Sequence, residues 1–286
     1  MAEAGGVSNI AEVSDSSILM GGGFLLLCGV GVVFLAIWLV KYSGPAALAD
    51  CPKRRNRVPF YLPFGLILVW IVLVAVGAWG AGAVTKDGPL WLNEFTVYMV
   101  ISYVEIVMTL VMLYFAHYTF ARGLKGFGLD LRTIGRDFFA AVVNFVAVYP
   151  LVMAGLMLVM FTGQFLKGEE FEMATNEGLI LIMETPGLIL KVLLFGSFGL
   201  VVPIFEEMMF RGMLQSMVRR YLGSPWAAIL ISSVVFALMH PWMHWPALFM
   251  LSLGMGYAYE RSGSLVRPII LHAIFNSASM TAALLT

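Results

Sequence analysis

Charged side chains are scarce in this chain of 286 residues, since Asp, Glu, Lys and Arg together make up 12% of it, against about 25% in an ordinary soluble domain. Long stretches hold none of these four residue types, namely 16–40, 58–85, 138–166, 221–259 and 268–286. The first three exceed the roughly 20 residues that a helix needs to cross the hydrocarbon core of a bilayer. The composition therefore predicts an all-α polytopic membrane protein, and it excludes a soluble enzyme, a secreted domain and a nucleic-acid-binding protein.

Cysteine is also scarce. Cys28 lies in an apolar run and Cys51 in a basic loop, and two cysteines so placed build neither a disulfide framework nor a metal–thiolate cluster. Leu25–Leu27 precede Cys28 and lack the small side chains of a lipoprotein cleavage site. The residues before the first apolar run are polar and slightly acidic, unlike the basic start of a secretory signal. We therefore expect this run to be retained as a membrane span.

The apolar stretches divide into about eight predicted membrane-spanning helices. Helices are expected because unpaired backbone N–H and C=O groups cost several kcal/mol in lipid. The spans are predicted at 18–40, 59–83, 96–121, 139–162, about 187–206, 226–240, 245–259 and 268–285. Between 178 and 220 two interpretations stand: one long bent helix, or a short re-entrant piece followed by a span broken at Pro186.

Lys and Arg are distributed unevenly between the connections. Fourteen of the 17 fall in alternate ones, which are 41–58, 122–138, the stretch after the fifth span, and the connection before the last span. By the positive-inside rule this side faces the cytoplasm, and both termini then face outward. The cluster from Lys53 to Arg57 is interpreted as part of this topology signal, with contact to anionic lipid as the alternative.

An ionisable group inside or beside a span is a functional candidate, and such groups concentrate in the last third of the chain. Glu207 and Arg211 are four residues apart, which is the spacing of an ion pair on one helix face. Adjacent residues of a helix point about 100° apart, so Glu206 is free to face elsewhere. A carboxylate in a partly dry site is suited to act as a general base. The alternative is an interfacial charge pair that ends a span.

Two histidines and an amide follow in the next predicted spans. His240 ends an otherwise apolar run, and the alternative to a catalytic role is a structural or interfacial histidine. His272 and Asn276 are four residues apart, so both project from one face of the last span. Two neighbouring donors there would stabilise a developing oxyanion. Their alternative role is to form hydrogen bonds that pack one helix against another.

Two further ionisable groups carry weaker signals. His244 follows His240 at a spacing that suits two zinc ligands on a continuous helix, but the prolines at 241 and 246 argue against continuity. Glu105 lies inside the third predicted span. There it either lines the same cavity as the polar cluster or hydrogen-bonds to a neighbouring helix.

Taken together, these residues form a recognisable set of short motifs. They are E-E-x-x-x-R at Glu206, Glu207 and Arg211, F-x-x-x-H at Phe236 and His240, and H-x-x-x-N at His272 and Asn276. In this order and at span-length separations, they resemble the CAAX-protease and bacteriocin-processing enzymes. That family consists of intramembrane glutamic endopeptidases, also described as abortive-infection-type proteases.

The resemblance implies a role for each matching residue. The catalytic residues would be Glu206, His240, His272 and Asn276, the first two activating the attacking water and the last two forming the oxyanion site. The ion pair of Glu207 with its arginine would shape the pocket or balance its charge. Helix spacing agrees with this division, whereas the convergence of three distant helices rests on the resemblance alone.

The resemblance also implies what the protein acts on and where. The substrate would be a membrane-associated protein or peptide, cleaved in the lipid bilayer without a cofactor, a metal or nucleic acid. The location would be the prokaryotic plasma membrane, with the active site open toward the cytoplasm. A metal-dependent version would use His240, His272 and Glu206 as zinc ligands, although the chain has no H-E-x-x-H motif.

The resemblance covers roughly residues 180–286. We therefore expect 122–286 to form the protease core, with its motifs within 206–276, and 1–121 to be a variable addition of three spans. Two other classes of function are alternatives: a non-catalytic membrane scaffold or immunity-type binding protein, and a transporter. Transporters usually pair broken helices in repeated halves, and the sequence has no such pairing.

Overall fold

The computed structural model describes residues 15–42, 44–52, 54–168, 171 and 177–285. Some sequence predictions fall outside these residues. They concern the N-terminal end and Lys53 of the basic cluster.

The described residues are mostly helical. The helices are α1 (Asp15–Tyr42), α2 (Tyr61–Thr85), α3 (Leu90–Thr119), α4 (Gly123–Phe127), α5 (Ile134–Lys167), α6 (Glu177–Glu184), α7 (Leu188–Leu222), α8 (Pro225–Leu238), α9 (Trp245–Ser262) and α10 (Val266–Leu285). Within the described part of the chain, β pairing is limited to one isolated antiparallel bridge between Asn56 and Phe120. The predicted all-α fold class is confirmed.

Six of the described helices are long and apolar enough to cross a membrane. They coincide with six of the eight predicted spans. The sixth predicted span corresponds to α8, which is apolar but has 14 residues, and the seventh to α9. Helices thus stand at all eight predicted places, and the chain is an integral membrane protein with a polytopic helical bundle.

Helix α7 carries the first motif, and it differs from the prediction in length. A separate α6 ends at Glu184 and α7 begins at Leu188, so the break at Pro186 is confirmed and a single helix through 178–220 is wrong. Gly187 makes the break with a φ of +80°, a region that glycine enters without strain. Helix α7 then continues through Pro203 and Gly212 to Leu222, beyond the predicted end at 206, and it ends at Gly223, whose φ is +69°.

Two segments of α7, Ser197–Val201 and Met208–Gln215, have the wider π-helical turn, which is frequent at functional sites. Every residue from Glu207 to Val218 is buried. A helix buried all round lies inside a bundle, and α2, α3, α8, α9 and α10 all pack against α7. The motif glutamates therefore lie at the centre of the fold.

The basic loop before α2 folds onto the C-terminal half of the chain. The Arg54 guanidinium lies 2.8 Å from the Glu260 carboxylate and 3.7 Å from the centre of the Tyr259 ring. Asn56 Nδ2 donates to the backbone carbonyl of Ser216. Part of the cluster interpreted as a topology signal thus forms a buried ion pair, a role that the sequence did not predict.

Candidate active site

Glu206 lies between two histidines that come from different helices. Its Oε1 is 3.8 Å from Nε2 of His240, and its Oε2 is 3.7 Å from Nε2 of His272. These distances are longer than a direct hydrogen bond. The Glu206 side chain is 12% exposed, against 25% for His240 and 5% for His272, so the carboxylate lies between a more accessible imidazole and a buried one.

His240 is held by the end of its own helix. Its Nδ1 lies 2.9 Å from the carbonyl oxygen of Phe236, one turn earlier. A carbonyl only accepts hydrogen bonds, so Nδ1 carries the proton and the Nε2 of neutral His240 presents a lone pair toward Glu206. The indole Nε1 of Trp245 donates to the His240 carbonyl at 2.6 Å and fixes the backbone after the end of α8.

Glu207 faces away from the space between Glu206 and the two histidines, and it forms the ion pair that the spacing predicted. Its Oε1 accepts a 2.6 Å hydrogen bond from Arg211 Nη1, and both side chains are fully buried. The same oxygen lies 2.9 Å from Nδ1 of His272. Arg211 is held in turn by Ser252, whose Oγ accepts from Nη2 at 2.6 Å, and its guanidinium stacks over the Phe236 ring. The pair connects α7, α9 and α10.

Asn276 lies one turn after His272 on α10, as its spacing predicted. Its Nδ2 donates a 2.8 Å hydrogen bond to the carbonyl of Phe198, which lies in the first π-helical segment of α7. This bond uses one of the two amide hydrogens. Among the described residues, the bonded partner of Asn276 is therefore a backbone group of α7, not one of the motif side chains.

A known protein family is similar to the part of the chain that carries these residues. Residues 188–278 match the family model described as type II CAAX prenyl endopeptidase Rce1-like. The C-terminal region is thus similar to this family. The match confirms the resemblance predicted from the motifs, and all of their residues lie inside it.

A longer similarity extends over most of the chain. An uncharacterized 24.3 kDa protein of Escherichia coli is 25% identical over 226 residues, which cover 77% of this chain and 94% of that protein. No solved structure matches the chain at a significant level. The Rce1-like match thus connects residues 188–278 with a family of membrane peptidases.

Glu105 lies close to the Rce1-like region although it stands outside it in sequence. It is 3% exposed on α3, and the segment Val202–Glu207 packs against this helix. Within the described residues, its Oε2 has no hydrogen-bond partner. The unpaired Oε2 gives no support for a hydrogen bond to a neighbouring helix, and a place beside a common cavity stays a prediction.

Asp137 is a buried carboxylate that sequence reasoning missed. Its Oδ2 accepts 2.7 Å hydrogen bonds from Thr133 and Ser264, and its Oδ1 accepts from Arg267 at 3.0 Å. These bonds fasten the start of α5 to the start of α10, which carries two motif residues of the Rce1-like region. In the sequence Asp137 stands at the edge of a charge-free stretch, where a carboxylate is expected to be an ordinary loop residue.

His244 does not share a continuous helix with His240. Helix α8 ends at Leu238, and His244 closes a short 3₁₀ turn over Trp242–His244, as the prolines predicted. Among the described residues, no group of three or more His, Cys, Asp or Glu side chains is arranged to hold a metal ion.

Proposed function

We propose that this chain is an intramembrane endopeptidase that hydrolyses a peptide bond of a membrane-associated protein or peptide. One observation carries the proposal: the partly exposed Glu206 carboxylate lies 3.8 Å and 3.7 Å from the Nε2 atoms of His240 and His272. A water beside the Glu206–His240 pair can hydrogen-bond to both. A carboxylate and a neutral imidazole so placed are suited to general-base catalysis.

In the proposed reaction, the water loses a proton to Glu206 or His240 while its oxygen attacks the carbonyl carbon of the peptide bond. The carbonyl oxygen then carries the negative charge of a tetrahedral intermediate. When the C–N bond breaks, the proton passes to the leaving nitrogen, and the products are a carboxylic acid and an amine. No covalent intermediate with the protein is required.

The oxyanion in this scheme is stabilised by donors of α10. Protonated His272 donates from Nε2, while its Nδ1 stays fixed on the Glu207 carboxylate. Asn276 donates the amide hydrogen that its bond to Phe198 leaves free. Preorganised donors of this kind contribute about 100- to 1,000-fold each in acyl-transfer enzymes.

We propose the prokaryotic plasma membrane as the location, with the site opening toward the cytoplasm. The uneven distribution of Lys and Arg supports this orientation. Arg219 and Arg220, in the last turn of α7, stand on the proposed cytoplasmic side. There α7 meets the basic loop, because Arg220 donates to the carbonyl of Val58 at 3.0 Å.

Cleavage of a candidate membrane-anchored substrate in liposomes tests the proposal. Glu206→Gln and His240→Ala should each lower the rate by about 100- to 10,000-fold, the contribution of a general base. Glu184→Gln is the matched control, because it removes an exposed glutamate from α6 and should leave the rate unchanged. Equal processing by wild type, Glu206→Gln and His240→Ala would reject the assigned site.

A metal-assisted version of the same hydrolysis would use Glu206, His240 and His272 as ligands. Chelator treatment and metal analysis of the purified protein separate the two versions. Full activity after chelation supports the glutamic mechanism. Loss of activity, together with a metal present in stoichiometric amount and recovery on its return, would replace it.

A further inference from the structure

A cavity of about 500 Å³ opens beside the basic loop, outside the candidate active site. Among the described residues, four cationic side chains line it, Arg54 and Arg55 from the loop and Arg122 and Lys125 from the turn after α3, and no carboxylate does. The other described lining residues are small and uncharged. The described wall of the cavity is thus strongly positive.

The walls of this basic cavity are fixed by backbone hydrogen bonds. The amide of Arg57 donates to the carbonyl of Thr119 at 2.7 Å, and the amide of Ala121 donates to the carbonyl of Arg55 at 3.0 Å. Arg54 is anchored below by its ion pair with Glu260. The loop and the turn are therefore held together although like charges on them repel.

Among the described residues, three of the four cations form no ion pair, and the charge near Lys125 is that of the more distant Asp130. Arg55, Arg122 and Lys125 are exposed, and within the described part of the chain none of them forms an ion pair. Convergent, unpaired cations on a fixed frame attract an anion. Guanidinium groups bind phosphate oxygens through paired N–H donors, and the lysine adds a point charge.

The position of the basic cavity indicates which class of anion it would bind. Its frame joins the end of α3 to the loop that enters α2, and both helices are candidate membrane spans. A site at the ends of two membrane helices lies at the depth of lipid headgroups, where phosphate is concentrated. We propose that the cavity binds the phosphate group of an anionic lipid headgroup.

Binding of short-chain phosphatidylglycerol and phosphatidylcholine to the full-length protein in non-ionic detergent tests the proposal. Each lipid is titrated and the bound fraction is measured by native mass spectrometry. Wild type should prefer phosphatidylglycerol. Arg55→Gln, Arg122→Gln and Lys125→Gln should each weaken that preference about fivefold, and their combination should abolish it. Arg54 is left unchanged because its ion pair is structural.

Arg136→Gln is the matched control, since Arg136 is exposed on the same proposed side but does not line the cavity. It should retain the full preference. An equal loss in Arg136→Gln, or wild-type preference in the triple variant, would overturn the proposal. The three substituted cations form no buried ion pair with the described residues, so unfolding midpoints in detergent without added lipid should match wild type. If the triple variant is unstable, the preference of Lys125→Gln for phosphatidylglycerol, compared with that of wild type, tests the proposal instead.

A competition experiment distinguishes binding of lipid phosphate from binding of free phosphate. Inorganic phosphate at millimolar concentration should compete with phosphatidylglycerol in wild type and not in the triple variant. Binding of inorganic phosphate without any binding of phosphatidylglycerol would overturn the assignment to lipid. Because binding depends on charge, raising the salt concentration should weaken phosphatidylglycerol binding more than phosphatidylcholine binding, and the reverse order would contradict the proposal.

Discussion

His272 Nδ1 lies 2.9 Å from Oε1 of Glu207, the oxygen that also accepts from Arg211. The other nitrogen of the same ring lies 3.7 Å from Glu206. Neighbouring glutamates thus contact opposite sides of one imidazole. Glu207 fixes the ring, and Glu206 faces the space between the two histidines. Replacing Glu207 and replacing Glu206 should therefore have different effects on stability and on the cleavage rate.

Glu207→Gln should destabilise the protein because it leaves the fully buried Arg211 without a countercharge. Breaking a buried ion pair on one side costs about 3–5 kcal/mol. Denaturant unfolding in detergent micelles measures the loss. Glu206→Gln is the matched control, since Glu206 forms no direct hydrogen bond to either histidine, and its unfolding free energy should stay close to that of wild type.

Removing both partners separates positioning from stability. The double variant Glu207→Leu with Arg211→Met should regain most of the stability that Glu207→Gln loses, because replacing a whole buried ion pair by apolar side chains is often neutral. Its cleavage rate should remain low, since His272 loses the acceptor for Nδ1. Recovery of both stability and kcat would contradict a positioning role for Glu207.

The candidate site illustrates what spacing alone predicts. A separation of four residues was enough to pair Glu207 with Arg211 and to set Glu206 apart, and the ion pair is confirmed. The same rule placed Asn276 one turn from His272. It did not predict the bond of Asn276 to Phe198, because that bond depends on how α10 packs against the first π-helical segment of α7.

Residue spacing could not predict the contacts of the basic loop or of Asp137, because their partners lie far away in the sequence. Arg54 bonds to the Tyr259 carbonyl 205 positions away, and Asp137 to Arg267 130 positions away. Local periodicity carries no information on contacts at that distance. The long spans were predictable from hydropathy, whereas the length of α7 was not, since its π-helical segments have no clear sequence signal.

Asp137→Asn should lower both stability and activity. The substitution weakens the hydrogen bonds that join the start of α5 to Ser264 and Arg267, and leaves the arginine without its countercharge. We expect a loss of about 1–3 kcal/mol, as for a buried group that loses its partner, and a lower kcat because the start of α10 is no longer fixed. Unfolding and cleavage assays measure the two effects.

Asp130→Asn provides the surface comparison for Asp137. Asp130 pairs with Arg132 at 2.7 Å in an exposed position, and this arginine holds the pKa of the Asp130 carboxyl well below its usual range. Exposed ion pairs contribute little because water screens them. The variant should unfold like wild type and cleave at the same rate. A loss equal to that of Asp137→Asn would show that burial is not the cause.

Arg54→Met should destabilise the protein through Glu260. The Glu260 carboxylate is 2% exposed and lies 2.8 Å from Arg54 but 3.9 Å from Arg219, its other cation. Loss of Arg54 leaves the buried carboxylate with a hydrogen bond from Gln215 and the more distant Arg219 as its countercharge, and we expect a cost of about 3 kcal/mol. Arg55→Gln, next to it in sequence but exposed, should leave the unfolding free energy unchanged.

Gly155→Ala should weaken the contact between α5 and α9. A Cβ atom at Gly155 would lie 2.7 Å from backbone atoms of Ala247, and backbone cannot move aside as a side-chain tip can. Overpacking of this kind costs about 1–3 kcal/mol. Gly135, on the same helix, has open space around its Cβ position, so Gly135→Ala should be neutral or stabilise by about 0.4–1 kcal/mol. Unfolding of both variants in detergent gives the comparison, and equal effects would show that α5 and α9 do not approach this closely.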